Sequence, residues 1–329
     1  MKSKKNIGGK NTLIYILLII LLLLIITVVG YYLYFNLPRA PEKLDVNIGR
    51  VEFPVPVVSE AKQFYPNMKF NHNKISYNIN ENCEEKKKEK ILNAFSELGE
   101  NIKIIIFYPS LYEPDIEISC AQKNQESTGE EINEKHFVAG EGGAKEIIRT
   151  ERFNIITKGI ILLYDNSKLK IIDCEYPNVE LHELMHVLGF DHVDNKQSLM
   201  FPFIDSCDQK LDQSIIEKLI QLYSQENFPD FYFENVSAIK KGRYLDFNVV
   251  IKNSGSVDSD NITLTILDNE EVIDKRDIGK FKFGSGISLE TKNLRLNHLN
   301  PEKISFVIDS ENKVRELDEN NNIVEVRLE

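Results

Sequence analysis

The sequence contains no tryptophan, only six histidines and only four cysteines among its 329 residues. No C-x-x-C pair occurs, which argues against a zinc site built from cysteines. Acidic residues outnumber basic ones by 51 to 40, and the formal net charge is −11. This acidic excess argues against nucleic acid, or an anionic lipid surface, as the main partner. Because histidine is rare, the position of each histidine is informative.

Three of the histidines lie within eleven residues, in the segment HELMHVLGFDH. On a helix, residues four apart share a face, so His182 and His186 can point at one metal ion. Gly189 lacks a Cβ and can adopt a left-handed conformation, which would end the helix and bring in His192 as a third ligand. Three neutral imidazoles leave the fourth position of a tetrahedral zinc ion open, as in catalytic sites. The segment therefore predicts one catalytic Zn²⁺ ion.

Glu183, beside the first histidine, predicts the reaction. A zinc ion lowers the pKa of bound water towards neutrality and polarises a peptide carbonyl. Glu183 would accept a proton from that water as general base and pass it to the leaving amine. A solvated helix that carries H-E-x-x-H by chance is the alternative. The third histidine, Gly189 and the downstream Met200 favour the zinc peptidase.

The motif H-E-x-x-H-x-x-G-x-x-H, with Met200 eight residues after His192, resembles the metzincin metallopeptidases. The string SLMFP that contains Met200 is most similar to the matrixins. The resemblance implies an α+β catalytic domain with a twisted, mostly parallel sheet, a zinc helix and a Met-turn at Met200. It also implies protein or peptide substrates.

Weaker similarity extends the resemblance over about residues 60–228, the predicted catalytic domain. Within it, residues 70–80 resemble the first strand, 86–98 the first helix, 115–118 the third strand and 211–223 the closing helix.

Some positions depart from the matrixin pattern. Val193 stands where matrixins usually carry serine, and Pro202 stands where astacins and serralysins carry a tyrosine ligand. The segment 122–135 occupies the region in which matrixins bind structural ions, but it offers only His136 nearby, so structural zinc and calcium are not expected. Pro202 and Phe203 are candidates for a wall of the specificity cleft.

Short apolar runs within this domain predict buried strands. The runs 102–107 (IKIIIF) and 159–164 (GIILLY) are rich in β-branched residues, and residues 91–98 keep their apolar side chains at helical spacing. Strands interleaved with helices predict an α/β or α+β domain. The glycine-rich segment 139–143 predicts a flexible surface turn, with a rim segment of the substrate cleft as the alternative.

The amino-terminal part predicts a membrane anchor. Residues 13–35 contain no charge and are long enough to span a bilayer. Lysines precede this run, so we expect residues 1–12 in the cytoplasm and the catalytic domain outside the cell membrane. A cleaved signal peptide is the alternative. Residues 36–59, with four prolines, predict an extended stalk.

All four cysteines follow the apolar run. An even number in an exported region permits two disulfides, and Cys83–Cys120 with Cys174–Cys207 is one of three pairings. Free buried thiols are the alternative.

From residue 231 to 329 the chain alternates apolar and polar residues in short runs. The clearest predicted strands are 244–251, 262–267, 304–308 and 323–328. About seven strands in a hundred residues predict an antiparallel β-sandwich of immunoglobulin type.

Turn sequences in this region resemble the cell-adhesion-related domain CARDB, at 252–255 (KNSG) and 316–322 (ELDENNN). The resemblance implies an accessory or adhesive module, with contacts to surface proteins or glycans. Four acids there could bind calcium, although solvated turns are the favoured interpretation. These acids are Asp309, Glu311, Asp318 and Glu319.

The sequence thus predicts a membrane-anchored, outward-facing zinc endopeptidase with an appended β-sandwich. Two alternatives stay open. One is a surface adhesion protein whose sandwich is the functional part, and the other is a maturation protease with a single substrate. The presence of Glu183 argues against the adhesion protein.

Overall fold

A computed structural model describes residues 8–48, 61–122, 138–165 and 174–327. It begins with helix α1 (Gly8–Asn36), which contains the predicted apolar run. The stretch Thr12–Asn36 is the one helix of the described residues that is long and apolar enough to cross a membrane, and none of it is buried in the protein. Two short strands follow, β1 (Glu42–Lys43) and β2 (Asp45–Ile48).

The next domain is built around six strands and three helices. The strands are β3 (Met68–Phe70), β4 (Lys74–Ile79), β5 (Ile106–Pro109), β6 (Ile116–Gln122), β7 (Gly140–Arg149) and β8 (Asn154–Asp165). The helices are α2 (Glu85–Asn101), α3 (Asn178–Val187) and α4 (Gln213–Tyr223).

Most of this sheet is parallel. Strands β5, β4, β6 and β8 lie side by side in that order, and each neighbouring pair runs parallel. Strand β3 pairs in parallel with the beginning of β8. Along its other edge, β8 pairs with the antiparallel strand β7. The expected α+β architecture with a mostly parallel sheet is confirmed.

Helices α2 and α4 each supply one apolar face to the core. Helix α2 buries Ile91, Phe95 and Leu98, and α4 buries Ile215 and Leu219. These residues recur three or four positions apart, so each of the two helices presents an apolar stripe to the core. Almost every residue of α3 is buried, because this helix lies inside the domain rather than on its surface.

The prediction of a strand over residues 102–107 was wrong for residues 102–105. Helix α2 continues through Asn101, and the Ile102 N–H donates to the carbonyl of Leu98 at 2.8 Å. The Ile105 N–H then donates to the Ile102 carbonyl at 2.9 Å, which makes a turn. Strand β5 begins at Ile106. The apolar run therefore contains, in order, the end of a helix, a turn and the start of a strand.

The carboxy-terminal domain is a sandwich of two antiparallel sheets. Its seven strands within the described residues are β9 (Phe231–Lys241), β10 (Tyr244–Asn253), β11 (Ser259–Asp268), β12 (Glu271–Phe281), β13 (Gly286–Arg295), β14 (Ile304–Ile308) and β15 (Ile323–Arg327). One sheet has the order β1-β9-β10-β13 and the other β12-β11-β14-β15-β2. The predicted immunoglobulin-like sandwich is confirmed.

Part of the predicted stalk belongs to this sandwich. Strand β1 pairs with β9, and β2 pairs with β15. Leu44 is buried in the sandwich core, and Val46 and Ile48 pack against that core. These three residues alternate with polar ones, which is the period of a half-buried strand. The prediction of an extended stalk is therefore corrected over residues 42–48, and residues 49–60 lie outside the described residues.

The two domains meet at the end of the sandwich where β9 begins. Arg152, in the turn between β7 and β8, donates to the fully buried Asp230 at 2.5 Å. The Thr150 hydroxyl donates to the Ser254 carbonyl at 2.8 Å, and Lys252 pairs with Glu151 at 3.2 Å. Buried charge-assisted hydrogen bonds of this kind fix one relative geometry.

The four cysteines form two disulfides, Cys83–Cys120 and Cys174–Cys207. The first joins the loop before α2 to β6. The second joins the segment before α3 to the loop before α4, so it brackets the zinc motif.

Candidate metal centre

Helix α3 positions the first two motif histidines. His182 and His186 lie one turn apart, and both are buried. The helix ends at Val187, and Gly189 then adopts a φ of 94°. A Cβ at Gly189 would lie 2.6 Å from Cγ of Met68, so both the conformation and the space require glycine. The turn at Gly189 leads the chain back to His192.

The three imidazoles converge on a common point. The Nε2 atoms of His182 and His186 are 3.0 Å apart, those of His186 and His192 are 3.1 Å apart, and those of His182 and His192 are 3.2 Å apart. Tetrahedral zinc with Zn–N distances of about 2.0–2.1 Å would separate its ligand atoms by about 3.3 Å. The donor set therefore fits zinc. Within the described part of the chain, these three residues form the one cluster with metal-ligand spacing.

Main-chain carbonyls orient two of the rings. Nδ1 of His182 lies 2.7 Å from the Leu199 carbonyl oxygen, and Nδ1 of His186 lies 2.8 Å from the Phe190 carbonyl oxygen. A carbonyl only accepts, so we assign the ring proton to Nδ1 in both cases. In a neutral ring Nε2 then carries the lone pair that a metal needs.

Burial favours the neutral form of these rings. It lowers the pKa of His182 to about 4, and it also lowers the pKa of His186 and His192. Neutral imidazoles can bind a metal without first losing a proton. The site is therefore prepared for a cation at neutral pH.

Glu183 lies against strand β7. Its carboxylate accepts a hydrogen bond from the backbone N–H of Gly142, which lowers its pKa, but burial outweighs this effect and raises the pKa to about 8. A Cβ added to Gly140 would lie 2.8 Å from Oε1 of Glu183. A Cβ added to Gly142 would lie 2.3 Å from the main-chain oxygen of Glu183. Only glycine lets the strand approach the helix this closely.

The prediction of a flexible turn at residues 139–143 was therefore wrong. Residues from Gly140 onward form an ordered strand beside Glu183. Sequence reasoning offered this segment only as an alternative rim of the cleft and did not predict that Gly140 and Gly142 contact Glu183. Their spacing of two was the available signal, because alternate residues of a strand face the same way.

Met200 lies in a tight turn next in sequence to Leu199, which contacts His182. It is fully buried, and its N–H donates to the Ser198 hydroxyl at 2.9 Å. Its carbonyl accepts the N–H of Val193 at 3.0 Å. Leu199, one residue earlier, supplies the carbonyl that orients His182. The turn thus contacts His182 through Leu199, and it contacts Val193, the residue after His192, through Met200.

Comparisons with known families agree with this geometry. The model of the Matrixin family matches residues 69–224, and the model of the CARDB family matches residues 228–326. The chain carries a matrixin domain followed by a CARDB domain. Both resemblances predicted from the sequence are confirmed.

Three similar solved structures each match about a third of this chain. A crystal structure of a Pyrococcus furiosus CARDB domain, in complex with di-metal ions, is 18% identical and matches 31% of this chain and 88% of its own length, with a TM-score of 0.24. A solution structure of the same domain is also 18% identical and matches 31% and 95%, with a TM-score of 0.24. A domain of a Methanosarcina acetivorans protein, inferred to lie on the cell surface, is 17% identical and matches 30% and 90%, with a TM-score of 0.25. Among curated proteins no match was found.

The two residues predicted to form a wall of the specificity cleft lie in the loop after Met200. Pro202 is exposed, and Phe203 is 44% exposed. The buried Gln209 organises this loop, because its Nε2 donates to the carbonyls of Phe203 at 2.9 Å and Ser198 at 3.3 Å. The position of Phe203 in a specificity wall stays a prediction.

Phe64 is a further residue beside the ligands that sequence reasoning missed. Its ring centroid lies 5.6 Å from that of His186, and its N–H donates to the Gly189 carbonyl at 3.0 Å. Phe64 is 45% exposed, so it forms part of the surface next to the metal centre. It precedes the matched family segment, and no sequence signal marked it.

The acids proposed for calcium do not form one cluster in the CARDB domain. Glu311 pairs with Lys275 and Lys313, and Asp309 accepts the N–H of Val314 at 2.7 Å. Glu319 Oε1 accepts the N–H of Glu316, and Asp318 accepts the N–H of Asn320. These contacts are those of turns and ion pairs within the domain, and the expected solvated turn is corrected at Asp309, which is buried. The segment 123–137, which contains His136, lies outside the described residues.

Proposed function

We propose that the protein is a membrane-anchored zinc endopeptidase that hydrolyses peptide bonds outside the cytoplasm. The observation that carries this proposal is the convergence of three Nε2 atoms at 3.0–3.2 Å, with Glu183 on the same helix beside them. The matrixin match is consistent with a peptidase. No other described cluster offers comparable metal chemistry.

The residues of the chain divide the chemistry among them. His182, His186 and His192 would hold one zinc ion, which when bound supplies an acidified water and polarises the substrate carbonyl. Glu183 accepts a proton as general base and delivers it to the leaving amine. Burial raises the pKa of Glu183 to about 8, and the positive charge of a zinc ion held by the three histidines would lower it towards the range in which a carboxylate can accept a proton.

Strand β7 provides a surface for an extended peptide. In the described sheet it pairs with β8 along one edge only, and Glu183 lies against its glycine residues. An extended substrate can add to the other edge through main-chain hydrogen bonds. Such binding would place a peptide bond near the metal centre with little dependence on side chains. Phe203 and Phe64 would then contribute side-chain selectivity.

Helix α1 supports the membrane location. Its length and apolar composition fit a single span, and lysines precede it. The two disulfides are those of a protein that folds in an oxidising compartment. We therefore place the amino terminus in the cytoplasm, and the matrixin and CARDB domains outside.

The arrangement supports an enzyme more than an adhesion protein. The sandwich is tied to α1 through β1 and β2, and to the matrixin domain through Asp230 and Ser254. An adhesive arm would be expected to reach beyond the enzyme. Contacts of the CARDB domain with surface proteins or glycans stay a proposal.

Cleavage of a mixed peptide library by the full chain in detergent, with zinc measured in parallel, tests the proposed function. Glu183→Gln keeps the shape of the side chain but cannot accept the proton, so we expect cleavage to fall by about 10² to 10⁴-fold with zinc retained. Glu175→Gln makes the same chemical change at an exposed residue and should cleave like the wild type. Normal cleavage by Glu183→Gln would exclude the assigned general base. Cleavage of one surface protein only, and not of the library, would indicate a maturation protease.

A further inference from the structure

The outer end of α1 is in contact with arginines. The guanidinium of Arg39 lies over the ring of Tyr34, 4.8 Å from its centroid. The guanidinium of Arg243, in the sandwich, lies over the ring of Phe35 at 5.8 Å. Cation–π contacts of this kind hold a planar cation against an aromatic face. Two positively charged side chains therefore lie against the aromatic residues in the last turn of the apolar helix.

A third arginine closes this group. Nη2 of Arg295 donates to the side-chain oxygen of Asn36 at 3.3 Å. Arg295 is the cross-strand partner of Tyr244, at the β9–β10 turn that contains Gly242. A Cβ on Gly242 would lie 3.3 Å from the Leu37 carbonyl oxygen, which shows how closely this turn approaches the helix end. The helix thus docks on one end of the sandwich.

We name Arg39, Arg243 and Arg295 the arginine collar. Two neighbouring lysines are neutralised by carboxylates, Lys240 by Glu42 at 3.0 Å and Lys241 by Asp246 at 2.6 Å.

Within the described residues, the collar arginines have no carboxylate partner. Nε of Arg243 is buried without a hydrogen-bond acceptor in that part of the chain. Arg39 and Arg295 are exposed. Three unneutralised guanidinium groups around an apolar helix end match the phosphates of lipid headgroups, because guanidinium binds phosphate oxygens in pairs.

The matrixin domain lies at the opposite end of the same strands. Strand β9 runs from Phe231, next to the domain junction, to Lys241, next to the collar. Eleven residues of strand correspond to ~35 Å. This separation exceeds the Debye length of about 8–10 Å. The charge of the matrixin domain is therefore screened from the collar, although the net charge of the whole protein is −11.

We propose that the arginine collar binds the phosphates of anionic lipids and holds the sandwich upright on the membrane. This inference rests on the proposed membrane anchoring by α1. The CARDB domain then serves as a rigid spacer, and the catalytic centre stands tens of ångströms above the bilayer, since the sandwich strands alone span ~35 Å. Its substrates would be protein segments that extend away from the membrane surface.

The absence of tryptophan makes a direct test simple. Tyr244→Trp places a single fluorescent reporter beside the collar, and Tyr112→Trp places one on the matrixin domain, where Tyr112 is 87% exposed. The full chain is inserted into vesicles of phosphatidylcholine, with or without phosphatidylglycerol. Both vesicles carry a quencher attached to the headgroup. Quenching then reports how close each end of the sandwich lies to the bilayer surface.

We expect the Tyr244→Trp reporter to be quenched more strongly in the vesicles that contain phosphatidylglycerol. The Tyr112→Trp reporter should stay unquenched in both. Each arginine near an anionic surface shifts a population about fivefold, so the collar should shift the upright orientation on the order of 100-fold. The lipid dependence should disappear when all three collar residues are replaced by glutamine, and Arg39→Gln alone, at an exposed residue, should remove part of it.

A matched control removes three exposed lysines elsewhere. The triple change Lys103→Gln, Lys196→Gln and Lys280→Gln alters the net charge equally and should leave the quenching unchanged. Equal quenching of Tyr244→Trp in both lipids, or equal loss in the control, would overturn the collar. So would quenching of Tyr112→Trp as strong as that of Tyr244→Trp.

Membrane insertion is measured separately, by flotation of the same vesicles after an alkaline carbonate wash. A chain that floats but shows no lipid dependence would refute the collar and leave the anchor intact. A chain that is washed off would refute the anchor, and the collar with it. Peptide cleavage in detergent is independent of both results.

Discussion

A Cβ on Gly142 would lie 2.3 Å from the main-chain oxygen of Glu183, while the Gly142 N–H donates to the Glu183 carboxylate. One backbone unit of β7 thus fixes both the position and the hydrogen bonding of Glu183, the proposed general base. Gly142→Ala should push β7 away from α3. We expect kcat/KM to fall on the order of 10²-fold, because shifts of about 1 Å near a catalytic group have effects of this size.

Gly143→Ala is the matched control for that change. A Cβ at Gly143 meets nothing within 4 Å, so this variant should keep nearly full activity. Peptide cleavage and thermal unfolding are measured for both proteins. Equal activity of the two variants would show that the close approach of β7 does not matter for catalysis.

The turn at Gly189 combines two requirements that can be separated. Gly189 has a φ of 94° and contacts Met68, whereas Gly279 has a φ of 78° with nothing within 4 Å of its added Cβ. Gly279→Ala should therefore cost only the backbone strain, about 1 kcal/mol. Gly189→Ala should cost more in unfolding free energy and should weaken zinc binding through His192. Isothermal titration with zinc and denaturant unfolding measure the two effects, and similar losses in both variants would contradict the role of Met68.

Lys69 is fully buried and predicts a specific pH dependence. Burial lowers its pKa from 10.5 to about 8, and its Nζ donates to the Leu222 carbonyl at 3.0 Å. Between pH 8 and 10.5 the unfolded chain binds this proton more strongly, so Lys69 makes stability rise with pH by about 3 kcal/mol across this window.

Lys69→Met should lack that rise, whereas Lys103→Met, at an exposed lysine, should retain it. Urea unfolding of the two variants and the wild type at several pH values gives the comparison, since other titrating groups affect all three proteins alike. A parallel pH dependence in Lys69→Met would mean that Lys69 keeps its ordinary pKa in the fold.

Leu44 tests whether the segment after α1 belongs to the sandwich. It is 3% exposed in the sandwich core, whereas Leu37 is 55% exposed. Leu44→Ala should destabilise the CARDB domain by about 2–5 kcal/mol, and Leu37→Ala by less than about 0.5 kcal/mol. Thermal unfolding of both variants measures the difference. A neutral Leu44→Ala would restore the view of this segment as an unattached stalk.

The zinc motif could be predicted because its chemistry is local. His182, His186 and Gly189 derive their geometry from one helix and its end, so spacing alone indicates how they meet. The two domains could likewise be predicted, since helical and strand periods are properties of short segments.

Contacts between distant segments could not be predicted in this way. The pairing of β2 with β15 joins residues at opposite ends of the chain, and prolines around β2 made an extended stalk the simpler interpretation. Strand β7 begins with glycines, which have low strand propensity, and only its contact with α3 explains them. In both cases tertiary contacts outweighed local preference.

The most direct test of the metal centre is a diffraction measurement at the zinc absorption edge on crystals of the zinc-loaded protein. We predict one anomalous peak, about 2.0–2.1 Å from Nε2 of each of His182, His186 and His192, with an open coordination position towards Glu183. A peak elsewhere, or a fourth protein ligand that closes the site, would contradict a catalytic zinc ion at this centre.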